Sequence, residues 1–181
     1  PIILFAYNRP FHTQETLHYL SQNILAEEST LIVYCDGAKQ DASEENKQKI
    51  KQVRELVKAQ NWPKEIQVIE SEANRGLANS IVNGVREVTE KYGKAIVLED
   101  DIITSKYFLK YMNDALNMYE DVEQVLSIGS CNFFAHEQNT PETFFIPIPD
   151  CWGWATWKDR WQLFEKDGSK LLAQLQNKKL I

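Results

Sequence analysis

Three carboxylates in a row, Glu99-Asp100-Asp101, follow directly on the apolar run Ile96-Val97-Leu98. Such a run reads as a strand buried on both faces. Ending it in three adjacent acids restricts the fold, because like charges repel and each carboxylate is costly to strip of water. A sheet edge carries them only beside a countercharge or in contact with solvent. Two readings are open for the triplet alone: a solvated acidic turn, or oxygen ligands for a hard divalent ion such as Mg²⁺ or Mn²⁺.

The chain upstream repeats one pattern. Pro1-Ile2-Ile3-Leu4-Phe5-Ala6-Tyr7 is a nearly continuous apolar run closed by the turn residues Asn8-Arg9-Pro10. Thr13 can cap a helix with Leu17, Leu20 and Ile24 on one face. Thr30-Leu31-Ile32-Val33-Tyr34-Cys35 is a second buried strand ended by Asp36-Gly37. Ser43 with Asn46, Glu44 and Glu45 predicts a helix start. Ile50, Val53, Leu56 and Val57 mark the apolar face of that helix, which stops near Asn61-Trp62-Pro63.

Glu65-Ile66-Gln67-Val68-Ile69-Glu70 alternates and predicts a third, more exposed strand. Asn74-Arg75-Gly76 then opens a helix through Leu77, Ile81, Val85 and Val88 that ends at Tyr92-Gly93. The fourth strand, 94–98, delivers the acids. Four such alternations predict an α/β fold, a Rossmann-like, mostly parallel central sheet flanked by helices. Ligands of such sheets sit beyond the carboxyl ends of the strands. Asn8-Arg9, Asp36-Gly37 and Glu99-Asp100-Asp101 all fall there.

Downstream, Ser105 can cap a helix with Phe108, Leu109, Met112, Leu116 and Tyr119 buried. Residues 125–130 read as a strand, 136–142 as a loop, and 144–149 as a short edge strand where proline is tolerated. Four of the five tryptophans lie between Trp152 and Trp161. Any one of them reads as packing; aromatic faces also stack on sugar rings, and Gly153 allows close approach. Residues 168–181 are helix-like, with Leu171, Leu172 and Leu175, and end without a stop signal. The chain begins at Pro1, in a strand and without an initiator Met. One domain, 1–181, trimmed at both ends, is the expectation.

At 181 residues, with 43% hydrophobic and 25% charged residues, the composition is that of an ordinary soluble domain. A net charge of -6 with no basic stretch argues against nucleic acid. Cys35, Cys131 and Cys151 form no paired motif, which suits reduced thiols in the cytoplasm. His12, His18 and His136 are scattered, against a zinc cluster. No apolar run is long enough to span a membrane.

The chain carries no nucleophile elbow, Walker-type phosphate loop or glycine-rich dinucleotide fingerprint. Asn8-Arg9-Pro10 stands where a nicotinamide-binding domain has its glycine-rich turn, which argues against a dehydrogenase. What remains is a cation-dependent site for a phosphorylated ligand. Arg9 brings a fixed charge beside the first helix's N-terminus. A divalent ion on the triplet would neutralise a diphosphate and, as Lewis acid, help it leave.

The order of strand-Asn8-Arg9, Val33-Tyr34-Cys35-Asp36-Gly37, Asn74-Arg75-Gly76, Glu99-Asp100-Asp101 and Trp152-Gly153-Trp154 resembles the GT-A fold glycosyltransferases over nearly the whole chain. The nearest likeness is to the N-acetylglucosaminyltransferases that begin complex N-glycan branching and to bacterial family-two sugar transferases. The resemblance implies that residues 1–103 bind the nucleotide and 104–181 form an incomplete acceptor-side half. Ala6, Asn8 and Arg9 would line the nucleotide pocket, Arg9 directed at the diphosphate. Asp36 would accept the uracil imide N–H, with Arg75 near the nucleotide. Glu99 and Asp100 would contact the ribose and sugar side, and Asp101, last of the DXD-like motif, would ligate Mn²⁺ or Mg²⁺. Trp152, Gly153 and Trp154 would wall the donor sugar and acceptor.

The implied activity is metal-dependent, inverting transfer of a sugar from a nucleotide diphosphate, UDP-linked and of the UDP-GlcNAc type, to a glycan or lipid-linked hydroxyl in surface glycan synthesis. The implied place is the cytoplasm, at or near the inner membrane face. Inverting relatives carry a general-base carboxylate after the tryptophan segment. Asp150, Asp159, Glu165 and Asp167 are nearby, but each also reads as a surface or helix-end acid, and a base beyond Ile181 is the expectation. A non-catalytic carbohydrate- or partner-binding module is the alternative. A sugar-phosphate nucleotidyltransferase fits less well, lacking its glycine-rich signature.

Overall fold

The computed structural model describes residues 1–131 and 141–180. Among them, six strands form one sheet in the order β3-β2-β1-β4-β6-β5. They are β1 (Ile2–Ala6), β2 (Thr30–Cys35), β3 (Glu65–Glu70), β4 (Lys94–Glu99), β5 (Ile128–Gly129) and β6 (Trp154–Trp157). The first four are mutually parallel, as their apolar runs predict. The helices are α1 (Pro10–Ser21), α2 (Glu44–Lys58), α3 (Leu77–Tyr92), α4 (Phe108–Met118), α5 (Lys158–Trp161) and α6 (Gly168–Asn177).

Strand alternation sends side chains to two cores. Ile2, Leu4, Leu31, Val33, Ile96 and Leu98 pack with Leu17 of α1, Val53 of α2 and Met112 of α4. Ile3, Phe5, Ile32, Ala95 and Val97 face Val85 and Val88 of α3. All five residues of β1 are buried, which makes it the central strand, whereas β3 at the edge is half-covered as expected. Each fully buried aliphatic side chain contributes about 1.5–3 kcal/mol.

The chain runs outward from β1 to β2 and β3, then returns through α3 to β4 on the other side of β1. Where strand order reverses, the connections leave on opposite faces and open a crevice. Here that crevice lies between the carboxyl ends of β1 and β4.

Several expectations are corrected. Helix α1 starts at Pro10, whose fixed φ and missing N–H suit the first helical position, with Arg9 before it. Thr13 lies inside the helix and donates its hydroxyl to the Arg9 carbonyl at 2.9 Å. The helix ends at Ser21, so Ile24 is outside its stripe. Leu77 is 56% exposed. Tyr107, not Ser105, precedes α4, and Tyr119 falls just past its end.

The strand expected over 125–130 shrinks to Ile128–Gly129. No strand forms over 144–149, where Pro147 and Pro149 each lack the N–H a ladder needs. Instead the tryptophan segment itself enters the sheet: β6 runs antiparallel to β4, from Lys94↔Trp157 to Val97↔Trp154. Of the expected loop 136–142, residues 136–140 lie outside those described. Of the helix expected over 168–181, α6 forms over Gly168–Asn177, capped by Asp167, and buries none of its residues. Among the described residues no helix is long and apolar enough to cross a membrane. All three cysteines are free, and burial pushes the Cys35 thiol up to about 12, so it serves as packing.

Candidate functional site at the β1–β4 crevice

Phe5 pairs with Glu99, so the loops that follow β1 and β4 face each other across the crevice. Arg9 reaches over it as a fork. Its Nη2 donates to Asp100 Oδ1, and its Nη1 to Asp101 Oδ2 at 2.8 Å. Asp100 Oδ2 accepts the Tyr7 N–H at 3.2 Å. The Asp100 side chain is 3% exposed, against 43% for Arg9 and 40% for Asp101.

Burial pushes the Asp100 carboxyl above the usual range, while Arg9 and the Tyr7 N–H pull it back. Burial alone would lower the Arg9 guanidinium, but Asp100 and Asp101 outweigh it and the net shift is upward. Half-buried Glu99 is also pushed up, by burial first and then by Asp101 and Asp100, with Arg9 in partial opposition.

The countercharge of the acids in this structure is therefore the chain's own guanidinium. Arg9 points at the acids across the crevice. Asp100 is enclosed by Arg9 and Tyr7, Glu99 is half-buried, and Asp101 is the exposed acid of the three.

No group of three His, Cys, Asp or Glu among the described residues converges as a metal cage. The donor set still fits a hard cation completed by a ligand. One guanidinium stands against three adjacent carboxylates, so acids outnumber the cation there. Mg²⁺ is ordinarily held by one or two carboxylates, with substrate phosphates and water supplying the rest. Asp101, the exposed acid, supplies one such carboxylate.

Asp36 ends β2, with its main-chain N–H donating to the Ala6 carbonyl at 3.0 Å. Its carboxylate accepts three main-chain N–H groups: Gly37 at 2.9 Å and Arg75 at 2.8 Å on Oδ1, and Gly76 at 3.1 Å on Oδ2. A carboxylate has about four acceptor sites. One, on Oδ2, remains for a ligand. Gly37 is required by close approach, since a Cβ there would lie 2.6 Å from the Ala73 carbonyl carbon. The Asn74 side chain donates to the Gly37 carbonyl at 3.0 Å and closes this turn. Exposed Arg75 lines a narrow cleft with Tyr34, Asp36, Asn79 and Glu87. Ala6 is buried in the core, and Asn8 donates to the Asn46 side chain at 2.7 Å, tying the β1 loop to α2.

The antiparallel β6 brings Trp152 and Gly153 to the same end of the sheet as Glu99. Trp152 is 53% exposed. Gly153 has φ +79°, and a Cβ there would sit 2.8 Å from Ser130 Oγ. Trp154 is partly buried: it packs against the edge of the α3-side core, its ring centroid 5.4 Å from that of Trp161.

Of the four nearby acids, Asp159 pairs with Arg160, Glu165 with Lys170, and Asp167 caps α6. Asp150 stands beside Gly129 and accepts the N–H groups of Cys131 and Trp152 at 3.1 and 3.0 Å. It is the one of the four that holds the loop carrying Trp152. Sequence reasoning missed Tyr7, whose role is a main-chain N–H, and Asn46. The cue for β6 was present in Trp154-Ala155-Thr156-Trp157, a β-prone run between a glycine and a helix.

The family model described as glycosyl transferase family 2 matches residues 2–164. No curated protein matches the chain. Similar solved structures include S. aureus TarS, at 14% identity and TM-score 0.42 over 66% of this chain and 19% of that one. A shorter TarS structure, residues 1–349, gives 15%, 0.40, 66% and 32%. The galactosyltransferase LgtC in complex with donor and acceptor sugar analogs gives 12% identity and TM-score 0.48 over 98% of this chain and 66% of that one. Mouse xyloside xylosyltransferase 1 in its apo form gives 9%, 0.47, 90% and 68%. The chain thus spans 19% and 32% of the two TarS chains it matches.

Proposed function

The chain belongs to glycosyl transferase family 2, and from that premise we propose that it binds a UDP-linked sugar at the β1–β4 crevice and moves the sugar, with inversion, to a hydroxyl of a glycan or lipid-linked acceptor. One observation carries the reading. The topological switch point, where an open α/β sheet binds its ligands, holds Arg9 on one side and Asp100-Asp101 on the other.

Arg9 would bind the diphosphate, its planar fork matching two phosphate oxygens. The free acceptor site on Asp36 would take the imide N–H of the base, with Arg75 alongside. Trp152 offers an aromatic face for a sugar ring, and Asp150 fixes the loop that presents it. Asp101 would hold Mn²⁺ or Mg²⁺, which when bound offsets diphosphate charge as the nucleotide leaves, with Glu99 and Asp100 toward the ribose and sugar side. A UDP-GlcNAc donor and a role in surface glycan synthesis at the cytoplasmic membrane face follow the resemblance to bacterial relatives.

Calorimetric titration of UDP with and without Mn²⁺, on the wild type and Asp101→Asn, tests this. Metal-dependent UDP binding that Asp101→Asn abolishes is the expected result; UDP binding indifferent to both would overturn it. A second reading, a carbohydrate-binding module, draws on the engagement of Asp159, Glu165 and Asp167 in ion pairs and a helix cap. Sugar binding that needs neither UDP nor metal, without slow hydrolysis of a UDP-sugar, would favour it.

A further inference from the structure

We propose that Arg9 is a resident cation of the acid cluster, displaced from Asp100 and Asp101 by an arriving divalent ion and handed to the donor's diphosphate, so that metal and donor bind cooperatively. The inference rests on the donor-site reading above and adds the coupling.

Both Arg9 pairs cross the crevice, and among the described residues no other cation is in ion-pair distance of either acid. Asp100 is almost wholly enclosed, and without the guanidinium it keeps only the Tyr7 N–H. A buried carboxylate is tolerated when paired and is costly when its partner leaves. A replacement charge must therefore arrive as Arg9 departs.

The backbone of Arg9 is held: its carbonyl accepts both the N–H and the hydroxyl of Thr13 at 2.9 Å. The side chain is partly exposed and can swing about that anchor. A guanidinium and a divalent ion repel each other, so Arg9 does not stay on the acids once Asp101 holds the ion, whose charge beside Asp100 replaces that of Arg9. Metal entry frees Arg9, and the freed guanidinium lacks an anion until a diphosphate supplies one. Each ligand then strengthens the other by the same factor, as linkage requires.

Electron paramagnetic resonance of free Mn²⁺ tests this without turnover. Wild-type protein should bind Mn²⁺ weakly alone and about tenfold or more tightly with saturating UDP. Arg9→Gln should bind Mn²⁺ alone about tenfold more tightly than wild type, with little further gain from UDP. Arg9→Lys, which keeps the charge but cannot fork across both acids, should fall between and serves if the glutamine variant does not fold. In the wild type, the Arg9 guanidinium ¹⁵N resonance should shift on adding Mg²⁺ and again on adding UDP. Mn²⁺ affinity lost in Asp101→Asn but not raised in either Arg9 variant, or an Arg9 resonance unmoved at saturating Mg²⁺, overturns the coupling and leaves the donor site standing. No Mn²⁺ binding by wild type even with UDP overturns both.

Discussion

The Asp36 carboxylate accepts the Arg75 main-chain N–H at 2.8 Å, joining residues 39 positions apart. With the Gly37 and Gly76 bonds, it fastens the end of β2 to the start of α3. The residue matched to nucleotide recognition is thereby also the clamp of the loop that carries Arg75.

Asp36→Asn keeps one carbonyl oxygen but turns an NH₂ group toward a main-chain N–H. The variant should lose about 1–3 kcal/mol of stability, the cost of leaving such groups unsatisfied. Urea denaturation measures it. An unchanged midpoint would show that the three bonds are not needed to hold the loop.

The same turn depends on Gly37. A methyl group there would lie 2.6 Å from the Ala73 carbonyl carbon and 2.7 Å from the Ser71 carbonyl oxygen, both main-chain atoms that cannot step aside alone. Gly37→Ala should cost about 1–3 kcal/mol. Gly168→Ala, where nothing lies within 4 Å of the added methyl, is the control. It should be neutral or stabilising by up to about 1 kcal/mol, since alanine is the better helix former.

Glu99 has a raised folded-state pKa, caused by burial and then by Asp101 and Asp100. The folded protein binds this proton more tightly than the unfolded chain does. The stability contribution of Glu99 therefore falls as pH rises from the ordinary glutamate value through the raised one, and is unfavourable at neutral pH. Glu99→Gln should stabilise the ligand-free protein at pH 7 by about 0.5 kcal/mol, allowing for solvent screening of a half-exposed group. The gain should vanish below about pH 4, where both states are protonated. Thermal melts at the two pH values check this; an equal gain at both would mean that charge is not its source.

Trp152 and Trp154 should separate cleanly. Trp154→Ala removes a partly buried ring packed against the α3-side core and should cost about 1–3 kcal/mol. Trp152→Ala removes a side chain that is 53% exposed and should cost under about 1 kcal/mol while weakening donor-sugar binding. Melting curves and titration with a UDP-sugar read the two effects. Equal destabilisation would contradict the assigned burial.

The strands β1, β2, β3 and β4 were legible because buried parallel strands are short apolar runs cut off by turn residues, a local signal. Ser43 at the start of α2 and Gly93 at the end of α3 were legible for the same reason, a cap being a matter of a few neighbouring residues. Thr13 misled because its hydroxyl can bond a carbonyl inside the first turn as readily as it can cap. β6 was missed because its β-prone cue is only four residues long, and nothing local sets its direction.

By itself the sequence determined the α/β alternation and the end of the sheet at which the polar clusters Asn8-Arg9, Asp36-Gly37 and Glu99-Asp100-Asp101 collect, since strand period and turn chemistry act over a few residues. Only the tertiary structure decided that Arg9 is the partner of Asp100 and Asp101, that Asp36 clamps Arg75, and that Trp154 packs against the α3-side core while Trp152 is exposed. Each of these joins residues far apart in the chain or depends on which face a strand presents. Long-range register governs both, because a one-residue shift in pairing turns every side chain of a strand to the opposite face.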